Sequence, residues 1–382
     1  MISQYYLIGK REETFLYYCC AVLLCLSLIR EVLGFQVYFN SVIPVIFSIF
    51  IMFFGKKYIN PSIIFPIFIF LIATLIQFAH PSLLDFIYLI KISTLFLTTF
   101  LILNFLKRET HLAFFVYLTL FISIFLTLIE FFTIGFQSRT LFLDSQVVRL
   151  HGIFGHHNYS GIIYILIASI CLKKRLLVPM IIFITLALLT GSKGVYLYIL
   201  AGFLCFLFKT RFVNYFVFIL FWISWLLPFW FPIFLQLIPD PFYDFIAIFS
   251  NFRSVHWEVY SDIAQSNLLY GTGYVNSLNL YSVYANHAID NFSNIQIQHN
   301  LSLEVLTGYG IFFWMLFGLI ISRFIILSQT RFQIFFVSMI FLPYTFYNGL
   351  TFIGLWFAVA LLLNELQLHK LDSNEYKAIK KF

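Results

Sequence analysis

The sequence predicts an all-α polytopic membrane protein with about 12 transmembrane helices and one large outer loop between spans 9 and 10. Three observations carry this. The chain is 62% hydrophobic and 10% charged, with a mean hydropathy of +0.94, whereas soluble domains carry about 25% charged residues. Apolar runs of about 17–25 residues recur from end to end, each long enough to cross a hydrocarbon core ~30 Å thick as helix. The short alternating segments of a transmembrane barrel do not occur in the sequence.

Taken in order, the spans read as 14–34, 37–55, 62–79, 84–106, 111–135, 159–172, 176–191, 194–209, 212–237, 302–325, 331–347 and 349–366. Lys10 and Arg11 precede the first run, but it has the length of a span and no small-residue cleavage site, so it reads as a span rather than a signal. Cationic turns such as Lys56-Lys57, Lys107-Arg108 and Lys173-Lys174-Arg175 punctuate the runs. With the N-terminus placed in the cytoplasm, 17 of the 23 basic residues fall on the inner side. That bias fixes both termini inside, because an odd number of spans would scramble it.

The net charge of +7 is therefore spread over inner turns and the C-terminal tail, where it reads as topology and contact with anionic lipid. A nucleic-acid surface would need clustering on one face. Cys19, Cys20, Cys25, Cys171 and Cys205 all fall inside expected spans, so no outer disulfide is expected. No heptads, low-complexity tract or internal duplication divides the chain, and 1–382 reads as one integral membrane domain with the large outer loop 238–300 within it.

Two outer segments stand out by length, 136–158 and 238–300, and long loops of this kind are more often functional than idle. Basic residues are depleted on the outer side, so Arg149, Lys193 and Arg253 need a reason. A phosphate near the membrane surface is one, since Arg grips its oxygens bidentately and Lys adds a point charge. The bland alternatives are snorkelling for Arg149, a helix end for Lys193, and for Arg253 pairing with Glu258 or covering Trp257. His156 and His157 read either as site residues or as a turn ahead of the sixth span, and His256 and His287 as solvated loop residues. A metal site built from His151, His156 and His157 is disfavoured, because the spacing fits no His-Glu-x-x-His pattern and no cysteine lies outside.

His299 is singled out by position. It lies at the expected start of the span beginning near Ser302, where unpaired N–H groups and the helix dipole disfavour imidazolium. A neutral imidazole there can accept a proton from a hydroxyl while the same helix end attracts an anionic leaving group. The competing reading is a capping or interfacial histidine. No Gly-x-Ser-x-Gly elbow and no phosphate-binding Gly-rich loop with Lys appears.

Four segments form a pattern: Arg149-Leu-His-Gly-Ile-Phe-Gly-His-His-Asn-Tyr-Ser-Gly161, Leu189-Thr-Gly-Ser-Lys193-Gly, Phe252-Arg253 with Trp257 and Gly271-Thr-Gly273, and His299-Asn300 ahead of Gly310. In these segments the chain resembles the bacterial O-antigen polymerase and O-antigen ligase superfamily. The first is similar to that family's Arg…Gly-x-x-x-x-x-Asn-x-x-Gly, and the second to its Thr-x-Ser-Arg, with Lys in place of Arg. Phe252-Arg253, Trp257 and Gly271-Thr-Gly273 are similar to Arg-x-x-x-Trp…Gly-x-Gly, and His299-Asn300 is followed after nine residues by Gly310. Phe313 stands where ligases carry Gly, Thr or Tyr.

The resemblance implies a glycosyltransferase of the bacterial inner membrane, with 238–300 as a periplasmic loop and a glycan on undecaprenyl diphosphate as donor. It implies that Arg253, Lys193 and Arg149 hold the diphosphate, that His299 takes the acceptor's proton with Arg253 beside it in catalysis, and that His156, His157, Asn158, Asn300 and Trp257 support them. No cofactor and no metal are implied. The implied partners are the lipid-linked oligosaccharide, membrane lipid and a chain-length regulator protein. Lys193, Phe313 and the His-His-Asn turn favour polymerase, whereas the His299-Asn300 motif favours ligase. A twelve-span transporter or a flippase is the alternative from another class.

Overall fold

The structure is a computed structural model. It describes residues 18–19, 21–26, 28–29, 31–32, 35–36, 85, 87–88, 90–92, 95, 109–133, 137–140, 146–154, 156–239, 241–243, 246, 253–284, 298, 300–345, 350, 352 and 354–366. The expected spans 37–55 and 62–79 lie outside the described residues, as do His287 and His299.

The described residues are helical apart from turns and two short antiparallel ladders. The first ladder pairs β1 (Glu31–Val32) with β2 (Phe35–Gln36), where the sequence suggested the end of span 1. Next comes α1 (Glu109–Thr133), close to the expected 111–135. A second ladder, β3 (Gln137–Thr140) with β4 (Gln146–Arg149), lies within 136–158, the first of the two long segments expected to be outer. Then follow α2 (His157–Lys173), α3 (Leu177–Leu189) and α4 (Lys193–Leu207), each within about two residues of its expected start and end.

The ninth expected span, 212–237, is two helices. α5 (Thr210–Trp225) and α6 (Leu227–Leu237) meet at an angle of 72°. Pro228, in the first turn of α6, and Pro232 have no N–H to continue the ladder and clash with the preceding turn, so the run cannot stay straight. The indole Nε1 of Trp230 donates to the carbonyl of Ile223 across the bend.

The interval expected as a large loop holds two packed helices, α7 (Arg253–Ser266) and α8 (Tyr274–Tyr284). α9 (Leu301–Leu327) follows, then α10 (Arg331–Phe341), a 3-10 turn at Pro343–Thr345, and α11 (Gly354–Leu366). Among the described residues, His111–Thr133 and Leu301–Leu327 are long and apolar enough to cross a membrane, and the bent pair α5–α6 is a third if counted as one span. Leu177–Leu189, Gly194–Leu207 and Gly354–Leu366 are apolar but shorter.

The chain divides into two compact units. The first comprises Met1–Ile59, Thr94–Phe206 and Trp356–Phe382. At its centre lies α2, buried on nearly every face from Asn158 to Cys171, as expected of a helix that is apolar all round. Lys173 at its C-terminus pairs with Glu365 of α11, and Phe115 of α1 meets Phe357 edge-on.

The second unit comprises Asn60–Ser93 and Leu207–Leu355. Trp225 of α5 stacks on Trp314 of α9 with ring centroids 5.5 Å apart, and Gly318 admits the indole where any Cβ would collide with it. Ser302 ties the same corner, donating to the carbonyl of Trp225 and accepting from Trp314 Nε1. A second apolar cluster, with Leu227, Phe231, Trp257, Tyr260, Ile263, Tyr281 and Leu303 at its heart, joins α6, α7, α8 and α9.

Candidate functional site

The four sequence segments fall two to a unit, and within each unit the two touch. In the first unit, the turn after β4 folds back onto the start of α2. Gly152 has φ 71°, and a Cβ there would meet Ser160 Cβ at 2.8 Å and the Tyr164 hydroxyl at 2.9 Å. Those two side chains hold the turn. Ile153 N donates to Tyr164 Oη, Phe154 N to Ser160 Oγ, and Ser160 Oγ to the carbonyl of His151.

Glu130, near the end of α1, completes that fold. It accepts from His151 N at 2.9 Å and from His151 Nδ1 at 2.7 Å, and lies 3.5 Å from Gly152 N. An ionised carboxylate only accepts, so the imidazole proton on this side sits on Nδ1. His156 is the residue before α2, and its ring stacks on that of His157 with centroids 4.4 Å apart. His157 lies 6.3 Å from His151, and Asn158 is buried in the first helical turn.

The Thr190–Lys193 turn sits against the same helix. Leu150 N donates to the carbonyl of Leu189 at 2.9 Å, and Gly161 is pressed so closely on Thr190 and Val195 that a larger residue would collide. Arg149 is the last residue of β4 and Lys193 the first of α4, so both belong to backbone segments that this packing brings together. Ser192, just before α4, is buried with an Oγ that has no hydrogen-bond partner among the described residues.

In the second unit, the Gly271-Thr272-Gly273 turn is seated on a break in α9. Gly310 has φ 77° and ψ −179°, which interrupts the helix. Ile311 N, which in a continuous helix would bond the carbonyl of Thr307, donates instead to Leu268. The freed carbonyls of Thr307 and Gly308 take the N–H groups of Thr272 and Gly273 at 2.7 and 3.0 Å. Asp85 closes the far side of the turn, accepting from Val275 N at the start of α8 at 2.7 Å.

Arg253 opens α7. One turn later His256 is buried, not solvated as the sequence suggested, and its imidazole stays neutral at pH 7. Burial, with the nearby Arg253 charge, pushes its pKa down to about 4. The reason for its burial is spacing: His256, Trp257, Tyr260, Ile263 and Ala264 recur at helical intervals and form the inward face of α7. Trp257 belongs to that face, edge-on to Phe231 at 5.3 Å, and Glu258 accepts from Tyr243 Oη. Burial also raises the Asp262 carboxyl above its usual range.

Asn300 caps α9, its side-chain oxygen accepting from Leu303 N at 3.0 Å and its amide donating to the carbonyl of Thr345. Glu304, fully buried one turn on, accepts from Leu350 N. His299 itself is outside the described residues, but its neighbour Gln298 is buried and donates to Ser277 Oγ of α8 at 2.8 Å. α8 packs on α7 through Tyr281, which lies 5.3 Å from His256 and 5.2 Å from Tyr260. Gln298, the residue before His299 in the sequence, is thus tied to the helix pair that begins at Arg253.

Sequence reasoning did not single out Glu130, Ser160, Tyr164, Tyr260, Ser277, Tyr281 or Gln298. The helical spacing of apolar residues in 256–264 is a signal that finds Tyr260; the others depend on contacts distant in sequence. Among the described residues, no group of three or more His, Cys, Asp or Glu side chains is placed to hold a metal ion. Compared with known proteins, the chain matches no family model, no curated protein and no solved structure.

Proposed function

We propose that this chain is a multi-pass glycosyltransferase of the bacterial inner membrane, with about twelve spans, both termini in the cytoplasm, and the 238–300 interval at the periplasmic face. It polymerises undecaprenyl-diphosphate-linked oligosaccharide repeat units of an O-antigen or capsular polysaccharide. The observation that carries this reading is the Gln298–Ser277 hydrogen bond, because it ties the residues flanking His299 to the helix pair that begins at Arg253.

In the proposed reaction, His299 accepts the proton of the acceptor sugar hydroxyl as its oxygen attacks the anomeric carbon of the donor. The bond from that carbon to the diphosphate oxygen breaks, and undecaprenyl diphosphate leaves with the electron pair. Arg253 counters the charge that develops on the leaving group, which is where preorganised cations accelerate such steps most. Arg149 and Lys193, to which the resemblance gives a diphosphate-holding role as well, belong to the first unit. Attack opposite the leaving group inverts the anomeric centre. The diphosphate is a competent leaving group once neutralised, so the reaction as proposed draws on no metal.

Purified protein given lipid-linked repeat units lengthens them without added metal, and His299→Ala or Arg253→Ala stops it. Polymer forming at the normal rate in both variants defeats the assignment. The His299-Asn300…Gly310 motif keeps the ligase alternative open, and lipid A core supplied as acceptor separates the two. The broken α9 and the bent α5–α6 pair favour a second reading, a transporter or flippase, since discontinuous helices mark binding sites in such proteins. Lipid movement in proteoliposomes with no change in glycan length selects it.

A further inference from the structure

Buried polar groups are nearly always hydrogen-bonded, and each exception asks for an explanation. Tyr281 is such an exception. Its side chain is 4% exposed, and its hydroxyl is buried with no hydrogen-bond partner among the described residues. Phe would fill the same slot without stranding a donor, and this chain uses Phe 52 times against 23 for Tyr. Packing alone therefore does not account for the hydroxyl. Burial also pushes the phenol's pKa up to about 12, so the proton is present to be donated at neutral pH.

Its surroundings say what it would be donated to. Tyr281 lies one turn beyond Ser277, which holds Gln298 beside His299, and faces His256 and Tyr260 on the helix that begins at Arg253. The two rings opposite are uncharged, and Trp257 belongs to the same cluster. Apolar ring faces with a few placed donors are how small polar ligands are oriented in pockets. A sugar ring offers the matching surface, with C–H groups on its faces and hydroxyls around its rim. A diphosphate does not, because it calls for cations rather than a neutral phenol.

We infer that the Tyr281 hydroxyl is a specificity-determining donor that reads a sugar hydroxyl of the lipid-linked glycan. The inference rests on the glycosyltransferase reading above and adds to it a residue that recognises the sugar rather than the phosphate. A donor left unpaired when the matching hydroxyl is missing also gives discrimination, since a site built to bond a hydroxyl rejects the analogue that lacks it.

The test is Tyr281→Phe in the full-length protein in detergent, titrated with two probes by tryptophan fluorescence. One is the lipid-linked oligosaccharide extracted from the producing bacterium, the other undecaprenyl diphosphate without sugar. The expected result is about 10-fold weaker binding of the glycan lipid, unchanged binding of the sugar-free lipid, and a melting temperature equal to or above that of wild type. Wild-type affinity for the glycan lipid in the variant overturns the inference, and the phenol is then only a filler. Equal weakening for both lipids overturns it in favour of a contact to the diphosphate, and a lowered melting temperature in favour of a structural hydroxyl. A wild-type protein that binds neither lipid sinks the glycosyltransferase reading itself, which is a different outcome from wild type and variant binding both alike.

Discussion

The backbone at Gly310 fills the space that a side chain on Gly271 would need, and the two residues before Gly271 fill the space that a side chain on Gly310 would need. A Cβ on Gly271 would lie 2.7 Å from Gly310 N, and a Cβ on Gly310 would collide with the carbonyl oxygen of Leu269. Both residues are left-handed, at φ 68° and 77°. The turn and the helix break define each other: the break frees the carbonyls of Thr307 and Gly308, and the turn supplies the N–H groups that satisfy them. Inside a span such carbonyls have no water to fall back on, so broken helices persist only where protein takes over their hydrogen bonds.

Gly271→Ala and Gly310→Ala each force an L side chain into a left-handed conformation, at a cost of about 1–3 kcal/mol before the collision is counted. Both variants melt lower than wild type in detergent, and because they disturb one contact, the double variant loses less than the sum of the two. Additive losses would show that turn and break are independent.

Asn300→Ala removes the cap of α9 together with the amide bond to Thr345. Loss of an N-cap costs about 0.5–2 kcal/mol. Asn300→Ser restores an acceptor to the helix end but not the donor to Thr345, so its melting temperature falls between alanine and wild type. A serine variant no better than alanine would place the whole effect on the Thr345 bond.

The helices α1 and α2–α4 were legible in the sequence because each is an apolar run of helical length set off by polar or cationic turns. The bend between α5 and α6 was carried by Pro228 and Pro232, yet proline is tolerated inside spans and does not by itself announce a 72° turn. The Gly310 break was hidden for a different reason. Its cause is a turn about forty residues earlier in the chain, and no local pattern around Gly310 encodes that partner.

The candidate site was legible in part. Charge picked out Arg253 and the resemblance pointed to Asn300, and the structure makes Asn300 the cap of α9 and Arg253 the first residue of α7. His256 was misjudged because a histidine in a polar interval reads as solvated until the helical spacing of its apolar neighbours is counted. Glu130 was missed because what it holds, the His151 turn, lies twenty-one residues on.

Glu130→Gln keeps an acceptor but removes the charge that both His151 groups bond. Charge-assisted hydrogen bonds contribute about 1.5–3 kcal/mol, so the variant melts lower, and Glu130→Ala lower still. Histidine ring resonances observed by NMR check the local claim: the His151 Nδ1 proton shifts upfield in Glu130→Gln. An unmoved His151 resonance would mean the pair does not form in solution.

His256 gives the protein a pH dependence whose sign follows from its burial. In the unfolded chain the imidazole takes up a proton as pH falls through about 6.5, but in the folded chain only near 4. Between those values the unfolded state binds more protons, so stability declines as pH drops. The effect is absent above pH 7 and complete below 4, where it amounts to about 3 kcal/mol. Arg253, one turn earlier, adds its charge to the penalty, and the facing rings of Tyr260 and Tyr281 remain neutral across this range. His256→Gln keeps a polar side chain of similar reach without the titration. Between pH 7.5 and 4.5 its melting temperature falls less steeply than that of wild type; parallel pH profiles would mean that the histidine is solvated after all.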